Sequence, residues 1–183
     1  MKLSLPLLLG LAGFALAGPT PKIVKPLSPG PIEYFENQCA RCHGTRGSNF
    51  VVASLKRRSP ASLKAEIQSM ASGPGQSPIS GRDLDAQVAL HRSIIKGTPF
   101  LSFTKSANGV LSGEVVGSEI VAIKYGTTRI PAKVADGVWT ARVPLSWLSP
   151  TRPIFVVSGT SKGMQAAIDL TASPTSVRMR IRR

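Results

Sequence analysis

Pro31-Ile32-Glu33-Tyr34-Phe35-Glu36-Asn37-Gln38-Cys39-Ala40-Arg41-Cys42-His43-Gly44 carries the densest information in the chain. Proline suits a first helical position, and Ile32, Phe35, Cys39 and Cys42 recur at helical spacing, so the stretch predicts a helix with one apolar face that Gly44 stops. Thiols at i and i+3 of a helical turn point the same way. With His43 directly after them, Cys39 and Cys42 form the attachment arrangement of a c-type haem. Each thiol can make a thioether to one porphyrin, and the imidazole can serve as proximal iron ligand.

The sequence has 183 residues and two cysteines, so the motif uses the whole thiol supply. A Cys39–Cys42 disulfide, or a thioredoxin-like redox pair, leaves His43 without a role. The redox pair also belongs in a βαβ pattern that the flanking sequence lacks. A zinc site takes about four ligands, and beyond these three residues His91 is the one remaining histidine.

The first residues agree with an exported haem protein. Met1-Lys2 is a short positive segment, Leu3 to Leu16 is apolar apart from small residues and Pro6, and Ala15-Leu16-Ala17 supplies a cleavage site before Gly18. Residues 1–17 therefore read as a signal peptide, shorter than the roughly 20 residues of a membrane span; an uncleaved anchor is the competing reading. The mature chain is expected to start near Gly18, to be periplasmic or secreted, and to carry no transmembrane span.

Formal net charge is +14 and the sequence pI is about 10.8. Basic residues outnumber acidic ones eleven to five in residues 18–99 and eleven to four in 100–183, so the charge is spread along the chain. Such a surface speaks of encounter partners and not of fold. For an exported chain the expected partners are an acidic redox protein or an anionic membrane surface, not nucleic acid. The ending Arg178-Met179-Arg180-Ile181-Arg182-Arg183 alternates basic and apolar residues, as in a last strand with one face in solvent.

Residues 18–30 hold Pro19, Pro21, Pro26 and Pro29 and read as an extended, at best weakly ordered leader. After the motif helix and a loop from Thr45 to about Ser54, a second helix fits Ser59 to about Met70. Ser59 is its N-cap, Pro60 its first residue, and Leu63, Ile67 and Met70 form its stripe. Gly73-Pro74-Gly75 and Pro78 make 71–79 irregular. A capping-box pattern, Ser80-x-x-Asp83, opens a third helix that carries Leu84, Val88, His91 and Ile95 along one stripe and closes at Gly97. From Phe100 the period changes. Seven short strands (110–116, 119–125, 128–134, 138–143, 154–158, 164–170 and 175–181) are divided by turn signals such as Ala135-Asp136-Gly137, which predicts a β-sandwich.

Residues 31–97 resemble a small class I-type cytochrome c domain. The resemblance rests on Glu33-Tyr34-Phe35, the Cys39–Gly44 block, the helix entry Arg58-Ser59-Pro60-Ala61-Ser62-Leu63 and the closing helix Ser80–Ile95. The later part resembles immunoglobulin-like sandwiches, chiefly in Asp136-Gly137-Val138-Trp139-Thr140, although it lacks cysteines for an inter-sheet disulfide. Together they imply two domains: an all-α cytochrome c-like haem domain over 31–99, followed by an all-β Ig-like sandwich over 108–183. They also imply one covalent haem c per chain on Cys39, Cys42 and His43, with a methionine as second iron ligand. Met70 is the one methionine between His43 and Phe100. It is followed by Ala71 where the family often has proline, and it continues the Leu63–Ile67 stripe, so a plain core role stays open for it. His91, mid-helix on the inward stripe, competes with Met70 for the iron, and so does a position left without a protein ligand.

The function these readings imply is electron transfer, as a carrier or as an electron-transfer subunit, with the β part as docking or spacer module. The competing function is a haem-based sensor or binder of small gas molecules, which needs an open or weakly ligated iron. A structural protein that binds envelope polymers is a third reading. Independent enzymatic activity is not expected. No cysteine is spare, His91 is the one uncommitted imidazole, and no Walker-type or dinucleotide glycine pattern occurs.

Overall fold

A computed structural model describes residues 22–159, 163–175 and 178–181. The expected signal peptide, its cleavage site, the first part of the leader and Arg182-Arg183 lie outside the described residues. Among those described, no helix is long and apolar enough to cross a membrane.

The motif helix runs as α1 (Pro31–Tyr34), a π-helical turn (Phe35–Cys39) and α2 (Ala40–His43). Pro31 starts it, and Gly44, at φ 73°, stops it. A short α3 (Val52–Leu55) follows inside the expected loop. In α4 (Pro60–Ser72) the Ser59 hydroxyl accepts from Ser62 N at 3.1 Å, a capped start that the sequence announces. The last helix, α5 (Gly81–Lys96), closes on Gly97 in the left-handed conformation. Its start differs from the expected box: the Ser80 side chain makes no cap bond.

Among the described residues nine strands follow: β1 (Phe100–Leu101), β2 (Lys105–Ala107), β3 (Val110–Val116), β4 (Ile120–Tyr125), β5 (Thr128–Ala135), β6 (Val138–Arg142), β7 (Ile154–Gly159), β8 (Met164–Asp169) and β9 (Arg178–Ile181). All pairings are antiparallel, in the order β1-β3-β6-β5-β4-β7-β8-β9, with β2 also on β3. β5 turns the corner of this sheet. Its first part, Thr128 to Ala132, pairs with β4, and its last part, Lys133 to Ala135, pairs with β6. The two ends approach each other through a Ser102–Thr175 bridge and a Phe103 N to Pro174 O bond of 2.8 Å.

The expected pair of domains, an all-α haem domain and an Ig-like sandwich, is therefore overturned. A sandwich needs two facing sheets. Here β5 carries one ladder round the bend, and a nearly closed barrel-like sheet encloses Trp139, Leu111, Ile123, Ile154, Val156 and Ile168. The helices are one small region that does not close its own core. Phe35 and Leu90 share a cluster with Phe100 of β1, and Val116 of β3 packs against it. The proline-rich leader binds the same sheet: Val24 N donates to Leu170 O at 2.8 Å, Leu27 N donates to Phe103 O at 2.9 Å, and Leu27 is buried.

Glu114 makes the closest join. This β3 residue is 8% exposed, and its carboxylate accepts from Ile32 N and Glu33 N, both at 2.9 Å, and from the Ser102 hydroxyl at 3.1 Å. It thus occupies the positive start of the motif helix. The fit leaves no room for a side chain at Gly30, where a Cβ would lie 2.3 Å from a Glu114 oxygen. Burial pushes the Glu114 carboxyl above its ordinary value, while the bonds from Ile32, Glu33 and Ser102 pull it back. Glu114→Ala strands two backbone donors and a hydroxyl, and is expected to destabilise the fold by about 2–4 kcal/mol. Urea unfolding measures it, and wild-type stability in the variant would refute the role.

Candidate functional site

The motif lies on one wall of a cavity of about 590 Å³, bordered by the motif helix, the 49–58 segment, α4 and His91 of α5. Ligand pockets commonly span about 300–1,000 Å³. Cys39, Cys42 and His43 all line it, as do Met70 and His91. Every site residue read from the sequence is therefore brought to one volume.

Cys39 ends the π-helical turn, and Cys42 and His43 follow within α2. Both thiols are free, Cys39 half-buried and Cys42 exposed. Burial pushes the Cys39 thiol up, with Arg41 acting weakly against it, so the group stays protonated at neutral pH. Behind the motif the chain doubles back. Asn49 N donates to His43 O at 2.9 Å, and Arg46 N donates to Glu36 Oε1 at 2.9 Å. Gly47, at φ 71°, passes so close that a Cβ would lie 2.7 Å from the Phe50 ring. This turn sets Phe50 against the His43 imidazole at 5.1 Å between centroids.

Phe50 also meets Phe35 edge-on at 6.0 Å and lies 5.4 Å from His91, whose ring is 5.3 Å from Phe35. His91 is buried, and its Nδ1 lies 2.8 Å from Gln87 O. Since a carbonyl only accepts, Nδ1 carries the proton and Nε2 keeps its lone pair. Burial pushes this imidazole down to about 4, against a smaller opposing effect of the Gln87 bond. Met70, by contrast, is 41% exposed. It lies on the α4 wall beyond Leu63 and Ile67, which are buried.

Tyr34 and the rim complete the site. The Tyr34 hydroxyl donates to Ser77 O and ties the 71–79 segment to the motif helix. At the rim Arg58 pairs with Glu66 at 2.6 Å, and Arg41 is exposed.

The donor set fits a haem. Two uncommitted thiols, an imidazole beside them, a thioether on α4 and apolar walls from Phe50, Leu63 and Ile67 surround one volume. Among the described residues no three His, Cys, Asp or Glu are gathered tightly enough to hold a bare metal ion. Phe50, the Tyr34 bond to Ser77 and the pairing of Arg58 with Glu66 escape a sequence reading. Phe50 sits in a non-periodic loop, and its one local signal is the nearby glycine pair Gly44 and Gly47. Comparisons with protein-family models, with curated proteins and with solved structures gave no match.

His91 gives the site a pH signature. The folded chain keeps the ring neutral down to about pH 4, whereas the unfolded chain takes up the proton near its ordinary 6.5. Its stabilising contribution is therefore complete above pH 6.5 and is lost as pH falls towards 4, by about 3 kcal/mol. Urea unfolding at a series of pH values checks this against His91→Gln, which is expected to lack that part of the slope. Parallel curves for the two proteins would exclude the assignment.

Proposed function

We propose that this chain is an exported, monohaem c-type cytochrome that transfers electrons, as a carrier or as the cytochrome subunit of a larger oxidoreductase. The observation that supports it is the single cavity bordered by Cys39, Cys42, His43 and Met70. On this reading the Cys39 and Cys42 thiols hold one haem c as thioethers, and His43 and Met70 are its iron ligands. The bound group supplies a one-electron couple, and methionine–histidine ligation raises its potential.

The chain's own residues set the conditions. Phe50 packs against the His43 ring. Leu63 and Ile67 exclude water from one wall. Met70 is preferred to His91 as second ligand because its thioether stands free at the cavity wall. The His91 ring is held between Phe35, Phe50 and the Gln87 carbonyl. Arg41 and Arg58 are exposed at the cavity wall, and Lys56 and Arg57, next to Arg58 in the chain, are exposed as well. Together they favour an acidic redox partner and faster encounter at low salt.

Chain purified from an export-competent host is expected to be coloured, with an intact mass of mature protein plus one haem. Colourless protein of bare-chain mass would sink the proposal. Met70→Ala is expected to abolish the weak far-red sulfur-to-iron absorption band of the oxidised protein; a band that survives assigns the ligand elsewhere.

The exposure of Met70 supports one second reading, a sensor of small gas molecules whose iron is open or weakly ligated. Prompt carbon monoxide binding by the reduced protein at neutral pH selects the sensor. Absence of binding selects the carrier.

A further inference from the structure

We infer that the outer face of β4, β5 and β6 docks on the surface of a bilayer containing anionic phospholipid. Strand alternation turns Lys124, Arg129, Lys133 and Arg142 outward, and all four are exposed. Ile123, Val134 and Ala141 point the other way, into or against the barrel core. The ladder register groups these cations two by two, one pair on each side of the bend in β5. Lys124 and Arg129 are direct cross-strand partners, and Lys133 lies opposite Thr140, two residues before Arg142.

Like charges placed directly opposite weaken a strand pair. Nothing described relieves that cost, because the ion pairs among the described residues are Arg58–Glu66 and Lys64–Asp85. Two carboxylates share this face on the flanking strands: Glu114 of β3, opposite Val138, is buried and taken up by Ile32 N and Glu33 N, and Asp169 of β8 lies opposite Phe155. Glu119 precedes β4, Asp136 sits in the β5–β6 turn, and Asp169 of β8 accepts from Thr171 N and its hydroxyl at 2.9 and 2.7 Å. The face is built for an anion that is not part of the fold.

Apolar side chains choose among anionic partners. Phe155 lies directly across from Lys124 on β7. Ile120 and Val138 share the same outer face, and all three are exposed, Ile120 by 62%. A dissolved polyanion uses the cations and leaves these three side chains in water. A lipid interface uses both, with cations at the headgroups and apolar tips at the acyl boundary. This surface is separate from the cavity and does not depend on the haem reading.

The test is co-sedimentation of the full-length mature protein with vesicles of phosphatidylcholine, with and without phosphatidylglycerol. Dextran sulfate serves as the soluble polyanion. Binding to the mixed vesicles and not to phosphatidylcholine alone is expected. K124Q/R129Q is expected to weaken it about 25-fold, at about fivefold for each cation. I120S/F155S is expected to weaken vesicle binding several-fold and to leave dextran sulfate retention unchanged. Since K124Q/R129Q removes opposed like charges, it is expected to melt no lower than wild type. Should it melt lower, K133Q/R142Q takes its place. No binding to mixed vesicles, or binding unaffected by the charge variants, overturns the proposal. Vesicle binding indifferent to I120S/F155S marks a general polyanion surface and overturns the lipid assignment.

Discussion

Glu114 is the constraint on which the arrangement of helices and sheet depends. A carboxylate removed from water is costly unless its oxygens are fully bonded. Three donors from two parts of the chain meet that need: Ile32 N and Glu33 N from the motif helix, and the Ser102 hydroxyl beside the strand. The same contact satisfies helix-start N–H groups that have no partner of their own. A second grip lies on the other side of that start, where Gln87 Nε2 of α5 donates to Pro31 O at 2.7 Å. Gln87 O in turn accepts from His91 Nδ1. The wall that carries the thiols is thus fixed to the barrel by one bond set and to the opposite helix by another.

The π-helical turn explains how one helix serves both partners. In an unbroken α-helix, Phe35, Cys39 and Cys42 share a face. The wider turn over Phe35–Cys39 changes the phase, a feature common at functional sites. Phe35 is buried against Leu90 and Phe100, while Cys42, seven residues later, is exposed at the cavity. Phe35 at the start of the turn thus serves the packing of the fold, and Cys42 and His43 beyond its end border the cavity.

Local features of this architecture are legible in the chain and the joins are not. The turn residues around β3 to β8 mark their ends to within a residue or two, because glycine and proline act where they stand. Ser59-Pro60 likewise opens α4 as expected. The continuity of the sheet is hidden. β1 and β2 are two and three residues long and fall where the change of period suggests a domain boundary. A strand glutamate such as Glu114 reads as solvated surface until its distant donors are known. The Cys39, Cys42 and His43 motif is legible for the opposite reason, since all three of its residues lie within five positions. That Phe50, Met70 and His91 face the same volume depends on how the helices pack.

The size of that volume bears on why the helical region leans on the barrel. Its own apolar cluster is small, built on Leu63, Ile67, Leu84, Val88 and Ile95, and the cavity of about 590 Å³ adjoins it. Native interiors are close-packed, and side chains facing a void lose their contacts on that side. The region therefore draws support from Phe100 and Val116 of the sheet, from the Arg82 bonds to Lys25 O and Pro26 O of the leader, and from the Glu114 bonds. On the proposed reading, an apolar macrocycle on Cys39 and Cys42 supplies the contacts that the protein leaves open. Such a group would make those contacts only in the folded arrangement of the helices, and so would favour that arrangement.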